Sequence, residues 1–128
     1  MTPKRISKHA LLWLHEESLS MFGGASGLRD EGLLDSALAR RLNTHAYRPE
    51  SSLAELAASH AFGIAKNHAF IDGNKRTAFL AIGVFLSING YRLNATQVDA
   101  IQTMLALAAG ERTEAQLAEW ILLHSEPL

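Results

Sequence analysis

Apolar residues recur at spacings of three and four along most of the chain, and no segment alternates strictly between apolar and polar. That periodicity predicts helices and no strand. From Ser7 to about Met21 one helical face carries Ala10, Leu11, Leu14, Ser18 and Met21, and "FGGASG" then breaks it. Asp30 and Glu31 place carboxylates at the start of a second, short helix that continues through Leu33, Leu34, Ala37, Leu38 and Arg41. "NTHAYRPES" reads as a polar loop with an aromatic at its tip, and Ser52 with Glu55 forms a capping box for a third helix to about Lys66. "RTAFLAIGVFLSING" is apolar on nearly every side, so it is expected to be the central buried helix and the hub of the bundle, stopped by Gly90. Asn94 or Thr96 caps a fifth helix ending near Gly110. Thr113 with Gln116 makes another capping box, for a last helix carrying Leu117, Trp120, Ile121 and His124. The fold expected is an all-α compact bundle of about six helices around a central buried helix, with residues 1–128 as one domain.

Composition narrows the classes. With 128 residues the chain is long enough to bury a core without staples, and 20% charged residues is ordinary for a globular domain. There are no cysteines, which removes disulfides and cysteine-based zinc sites and fits a reducing cytoplasm. The polar, basic start MTPKRISKHA runs straight into a helical pattern, so export is not expected. No stretch approaches the roughly 20 apolar residues of a membrane span. A formal net charge of -1 gives no general reason to bind nucleic acid.

The chemistry concentrates in "NHAFIDGNKRTAF", residues 67–79. Gly73-Asn74 marks the joint before the buried helix, so Asn74, Lys75 and Arg76 fall in its first turn. A helix N-terminus is already positive, so two cations there are mildly unfavourable unless an anion joins them; the local electrostatics ask for a phosphate. Gly73 permits a tight or left-handed turn and a close approach to its N–H. Asp72 offers a hard oxygen ligand for a magnesium ion bridging that phosphate, and His68 is the nearby group able to accept a proton near neutral pH.

Singly these residues have plain structural readings. A lone histidine is more often satisfied inside a fold, Asp-Gly is more often a capping turn, cations snorkel from helix ends, and Phe70 belongs to the core. It is their conjunction within nine residues that argues for chemistry. A zinc site is the weaker reading, because His9, His15, His45, His60, His68 and His124 are scattered and Gly73 interrupts the one i, i+4 pair, His68 with Asp72. No Walker-type phosphate loop is present.

"HAFIDGNKRTA" resembles the signature of the Fic/Doc family: histidine, phenylalanine two residues on, an acidic or amide residue, a small residue, asparagine, glycine or lysine, then arginine. Lys75 aligns it with the Doc (death-on-curing) branch of toxins, and the likeness extends through "GGASGLRDEGLLDSAL" and the buried helix, about three quarters of the chain. The resemblance implies a compact all-helical core. It implies that His68 takes a proton from a target hydroxyl, that Asp72 holds magnesium, that Gly73, Asn74, Lys75 and Arg76 bind the phosphates of ATP, and that Phe70 is a buried anchor. By order along the chain, the loop from about Leu42 to Ser51 corresponds to the family's target-aligning flap. Fic enzymes transfer AMP to hydroxyl side chains, whereas Doc looks like a kinase that phosphorylates a threonine of elongation factor Tu and stops translation.

Two departures favour phosphoryl transfer. Fic sequences carry glycine where this chain has Lys75, and a second arginine where it has Phe79. The self-inhibitory pattern of many Fic proteins fails too, because Glu55, four residues after Ser51, is followed by Leu56. The inhibitor is therefore expected on another chain, a small antitoxin with a Phd-like, partly disordered tail, and an exposed apolar groove is expected to receive it. AMP transfer and a non-catalytic nucleotide-binding module remain the alternatives. A small DNA-binding domain is weakened by the net charge and the lack of a basic recognition helix.

Overall fold

The computed structural model describes residues 3–128. Six helices follow one another: α1 (Lys8–Phe22), α2 (Glu31–Tyr47), α3 (Leu53–Asn67), α4 (Asn74–Ile88), α5 (Gln97–Ala108) and α6 (Glu114–His124). Five start where side chains cap them. Ser7, Asp30, Ser52, Thr96 and Thr113 each accept a hydrogen bond from the backbone two or three residues into the helix, and both expected capping boxes close reciprocally.

The hub differs from the expectation. Helix α3 packs against α2, α4, α5 and α6, and ten of its fifteen residues are buried, against seven of fifteen in α4. Its alanines (54, 57, 58, 61 and 65) let four neighbours approach closely, while Leu56 and Ile64 fill the gaps between them. In α4, Ala78, Ala81, Ile82, Phe85 and Leu86 face the core, but Phe79 and Leu80 are only half-buried. They form a cleft wall, so apolarity on every side of α4 did not mean burial on every side.

Helix α2 is longer than its sequence suggests. It runs to Tyr47 and the expected loop from Leu42 contracts to Arg48–Ser52, so most of the expected flap is helix. Asn43, Thr44 and His45 have weak helix propensity, but Thr44 Oγ1 lies 2.8 Å from Ser59 Oγ on α3, a tertiary bond that holds the last turns. Pro49 disfavours helical geometry at the residue before it, and Arg48 leaves the helix at φ -133, ψ 82.

A small sheet was not expected. β1 (Tyr91–Leu93) pairs antiparallel with β2 (Ser125–Pro127), with Arg92 opposite Glu126. Three residues are too few to display an alternating pattern; the strands exist because the chain ends of α4 and α6 meet there. Asn94 N–H donates to the His124 carbonyl at 2.6 Å beside them.

His60 and Arg41 are among the polar residues buried in the core. His60 is 2% exposed and neither ring nitrogen has a partner among the described residues; burial, aided by the Arg41 charge, pushes its pKa down to about 4. Arg41, on the face read as apolar, lies buried over the Phe85 ring at 5.6 Å. Among the described residues no helix is long and apolar enough to cross a membrane.

Candidate active site

The segment between α3 and α4 is shaped from both ends. His68 terminates α3 in the left-handed conformation (φ 51, ψ 47), the one residue other than glycine with positive φ among those described. Arg29 makes this geometry tenable: its Nε donates to the His68 carbonyl at 2.8 Å and its Nη2 to the Asn67 carbonyl at 3.2 Å, closing two acceptors at the end of α3. The backbone of Gly27–Asp30 runs alongside. Arg29 and Asp30 N–H donate to the Ala69 carbonyl (2.7 and 3.1 Å), and Ile71 N–H donates to the Gly27 carbonyl (3.1 Å). The upstream "GLRD" stretch is thus a splint on the motif.

Phe70 is fully buried, as expected of an anchor, and two side chains lock it. Asn74 accepts from the Phe70 N–H at 3.0 Å and donates to the Phe70 carbonyl at 2.9 Å, so its amide closes the loop onto itself. His15 on α1 stacks on the Phe70 ring at 3.7 Å with an 11° tilt, and its Nε2 donates to the Asp72 carbonyl at 2.8 Å. Since a carbonyl only accepts, Nε2 carries the hydrogen.

Asp72 projects beyond this lock and is exposed. Its carboxylate accepts from Gly73 N–H at 2.8 Å and from Ala25 N–H at 3.3 Å. Those two donors, Gly73's first, with Arg76 and Lys75 adding opposite charge, hold its carboxyl below the usual range, so it stays ionised. The Gly23–Ala25 segment approaches so closely that a Cβ on Gly24 would meet Asp72 Oδ2 at 2.9 Å. Gly73 then turns left-handed (φ 78, ψ 17) and opens α4.

The start of α4 is the one helix N-terminus among those described with no side-chain cap. Its first N–H groups have no carbonyl partner within the helix, and Lys75 is exposed beside them. Arg76 is not simply an outward cation: its Nη1 lies 3.2 to 3.3 Å from the Ser18 hydroxyl and from the Ser18 and Gly23 carbonyls at the end of α1, with the Phe22 ring 5.1 Å away. Asp72, Gly73, Asn74, Lys75 and Arg76 all line one cleft of about 640 Å³, within the size range of small-molecule pockets. Its other walls are apolar: Phe79 and Leu80 from α4, and Ala100, Ile101, Met104 and Leu105 from α5. Phe22, Ile101 and Leu105 are more than half exposed there, which supplies the expected apolar groove. His68 is exposed and stands outside the cleft lining, at the far end of the loop, with no hydrogen bond from its ring to other described residues.

A bare helix N-terminus, a lysine and an ionised carboxylate around a half-apolar cleft suit a ligand with an anionic end and a flat apolar one. Among the described residues no three His, Asp or Glu gather to hold a metal. A cation at Asp72 would therefore complete its shell from phosphate oxygens and water, which is how magnesium commonly binds, and the pinned, ionised carboxylate fits that role. Sequence reading missed His15, Gly24, Ala25 and Arg29. Gly24, Ala25 and Arg29 lie within the stretch "GGASGLRDEGLLDSAL" that carries the family likeness, and its adjacent glycines mark backbone that something must approach closely.

The pattern of the Fic/DOC family matches residues 5–86, from the segment before α1 to near the end of α4. Toxin Doc of Mycolicibacterium smegmatis is 45% identical over 75 residues, covering 58% of this chain and 58% of that protein. Protein kinase doc of Escherichia phage P1 is 33% identical over 90 residues, covering 70% of this chain and 71% of that protein. The chain belongs to the Fic/DOC family. The α5 wall of the cleft lies beyond the family match.

Proposed function

We propose that this protein is the toxin of a type II toxin–antitoxin pair, a cytoplasmic protein kinase that moves the γ-phosphate of ATP to a threonine hydroxyl of elongation factor Tu and so arrests translation. Two curated relatives named Toxin Doc and Protein kinase doc support the reading. The observation that carries it is Phe79. The position where Fic enzymes hold the nucleotide with a second arginine lies on the cleft wall, and here that wall is a ring without charge. The cations near the phosphates are then Lys75 and Arg76, gathered at the bare start of α4.

In this mechanism the nucleotide's apolar base lies against the α4–α5 wall and its phosphates against the first turn of α4. His68 takes the proton from the target hydroxyl. The hydroxyl oxygen attacks the γ-phosphorus in line, a new O–P bond forms, the bond to the β–γ bridging oxygen breaks, and ADP leaves carrying the electron pair. Lys75, Arg76 and the backbone N–H groups stabilise the oxygens on which charge is spread. Asp72 would hold magnesium, which supplies further neutralisation of phosphate charge. Little else is required of the protein than alignment, which explains why so much hydrogen bonding is devoted to the loop that sets it.

The exposed apolar rim of Phe22, Ile101 and Leu105 supports a separate antitoxin whose disordered tail folds onto the cleft. The test is incubation of the purified protein with magnesium, bacterial lysate and ATP labelled at the α- or the γ-phosphorus, with His68→Ala in parallel. The expected result is label from the γ position alone, lost in the variant, on a protein of elongation-factor size. Label from the α position would replace this reading with AMP transfer, and no label from either with a nucleotide-binding module. Expression without the antitoxin should harm bacteria, and His68→Ala should relieve it.

A further inference from the structure

We propose that His15 is a positioning residue for the phosphate and metal end of the cleft, acting on it through the Asp72–Gly73 peptide. The inference rests on the kinase reading for its catalytic consequence and on geometry alone for the rest.

The Asp72–Gly73 peptide plane is gripped from both sides. Its carbonyl accepts the His15 Nε2 hydrogen at 2.8 Å, and its N–H donates to the carboxylate of Asp72 itself at 2.8 Å. Rotation of that one plane changes three things together. The carboxylate loses its first donor, the left-handed turn at Gly73 shifts, and the N–H groups of the uncapped α4 start are re-aimed. Gly73 is the least able of all residues to resist, since a glycine backbone has no steric preference of its own at φ 78. Something outside the loop must therefore fix the plane.

His15 is built to do so. It is 1% exposed, sits on the rigid middle of α1, and its ring is held flat on Phe70 at 3.7 Å, so Nε2 has little freedom to move. Phe70 is in turn tied to Asn74 through both its backbone groups. The same imidazole thus serves two jobs that substitutions can separate: a packing plate on Phe70, and a donor aimed at the Asp72 carbonyl.

Two variants divide those jobs. His15→Phe keeps a flat ring on Phe70 and removes the donor; His15→Gln keeps a donor and removes the ring. A merely structural histidine would make the more stable variant the better binder. A positioning donor predicts the reverse order. His15→Phe should melt close to the parent but bind a magnesium complex of a non-hydrolysable ATP analogue 10- to 100-fold more weakly by calorimetry, the usual range for losing a support behind a ligand-holding residue. Its Gly73 and Asn74 amide resonances should move, and its phosphoryl-transfer kcat should fall more than its KM rises. His15→Gln should melt lower yet recover most of the binding.

Parental binding and parental Gly73 and Asn74 amide resonances in His15→Phe would overturn the proposal, as would binding that simply tracks melting temperature across both variants. If the parent transfers no phosphate, the kinase reading fails, while the amide shifts and analogue binding still decide the role of His15. If His15→Gln does not fold, His15→Phe alone decides it by the same two readouts.

Discussion

Alanine at position 24 should damage the site out of proportion to its effect on stability, and alanine at position 23 should not. The two glycines are adjacent and both have positive φ, 82 at Gly23 and 126 at Gly24. An L side chain at either position therefore carries backbone strain of about 1 to 3 kcal/mol. Their surroundings differ. A Cβ on Gly23 meets nothing within 4 Å, whereas one on Gly24 would stand 2.9 Å from Asp72 Oδ2 and 2.9 Å from Leu19 Cδ2. Both contacts are too short to persist. Either the Gly23–Ala25 backbone withdraws and breaks the 3.3 Å bond from Ala25 N–H to Asp72, or the carboxylate swings off its two donors.

Each route frees the Asp72 carboxylate from at least one of its donors. Urea denaturation should show Gly23→Ala destabilised by its backbone strain alone, about 1 to 3 kcal/mol, and Gly24→Ala by somewhat more. Binding of a magnesium–nucleotide complex, measured by calorimetry at neutral pH, should fall 10- to 100-fold in Gly24→Ala and stay near the parental value in Gly23→Ala. The carboxyl of Asp72 should also titrate closer to its ordinary range in Gly24→Ala, because one of the N–H groups that holds it down has gone. Equal loss of binding in the two variants, or parental binding in Gly24→Ala, would refute the reasoning that this segment fixes Asp72.

Acid should destabilise the fold through His60. Its folded pKa of about 4 lies below the ordinary 6.5, so its contribution is fully present above about pH 6.5 and is lost as pH falls towards 4. The whole displacement is worth about 3 kcal/mol, and denaturation midpoints between pH 7 and 4 should flatten in His60→Leu. Asn74→Ala leaves the Phe70 N–H and carbonyl unpaired in a buried loop and should cost about 3 kcal/mol in urea denaturation. Asn74→Asp should not rescue it, because its second oxygen would face the Phe70 carbonyl. Lys75→Ala should leave the melting temperature nearly unchanged, the side chain being exposed, and weaken nucleotide binding by about tenfold or more; parental affinity would remove Lys75 from the phosphate site.

Local signals carried most of the fold. Caps at Ser52 and Thr113, and at Thr96 rather than its alternative Asn94, were announced by two or three residues of sequence, and each is closed as a cap in the structure. What failed depends on contacts between distant residues. The last turns of α2 are held by Thr44 on Ser59, and β1 and β2 pair across residues more than thirty apart. Helix α3 is the hub because its alanines admit four neighbours, which its amphipathic pattern alone does not announce. The site divides in the same way. Residues 67–79 were legible as a cluster, but the groups that brace the loop at His68, Phe70 and Asp72 come from α1, from the Gly23–Ala25 segment and from Arg29, where the sequence shows a family likeness but no chemical motif.

Arg76 shows where a purely local electrostatic argument stops. Two cations in the first turn of α4 looked unfavourable without an anion. In the fold, Arg76 already has part of its compensation, because Nη1 reaches the Ser18 and Gly23 carbonyls at the negative end of α1. The case for an anion therefore rests on what has no such partner among the described residues: exposed Lys75 and the uncapped N–H groups of α4. Arg76 becomes a bridge, tying the end of α1 to the start of α4 through Nη1, and it also lines the cleft. That bridge joins the same two helices that His15 joins. An anion arriving at α4 would thus meet a surface whose parts are fixed relative to α1, and its binding would require little rearrangement of the loop it contacts.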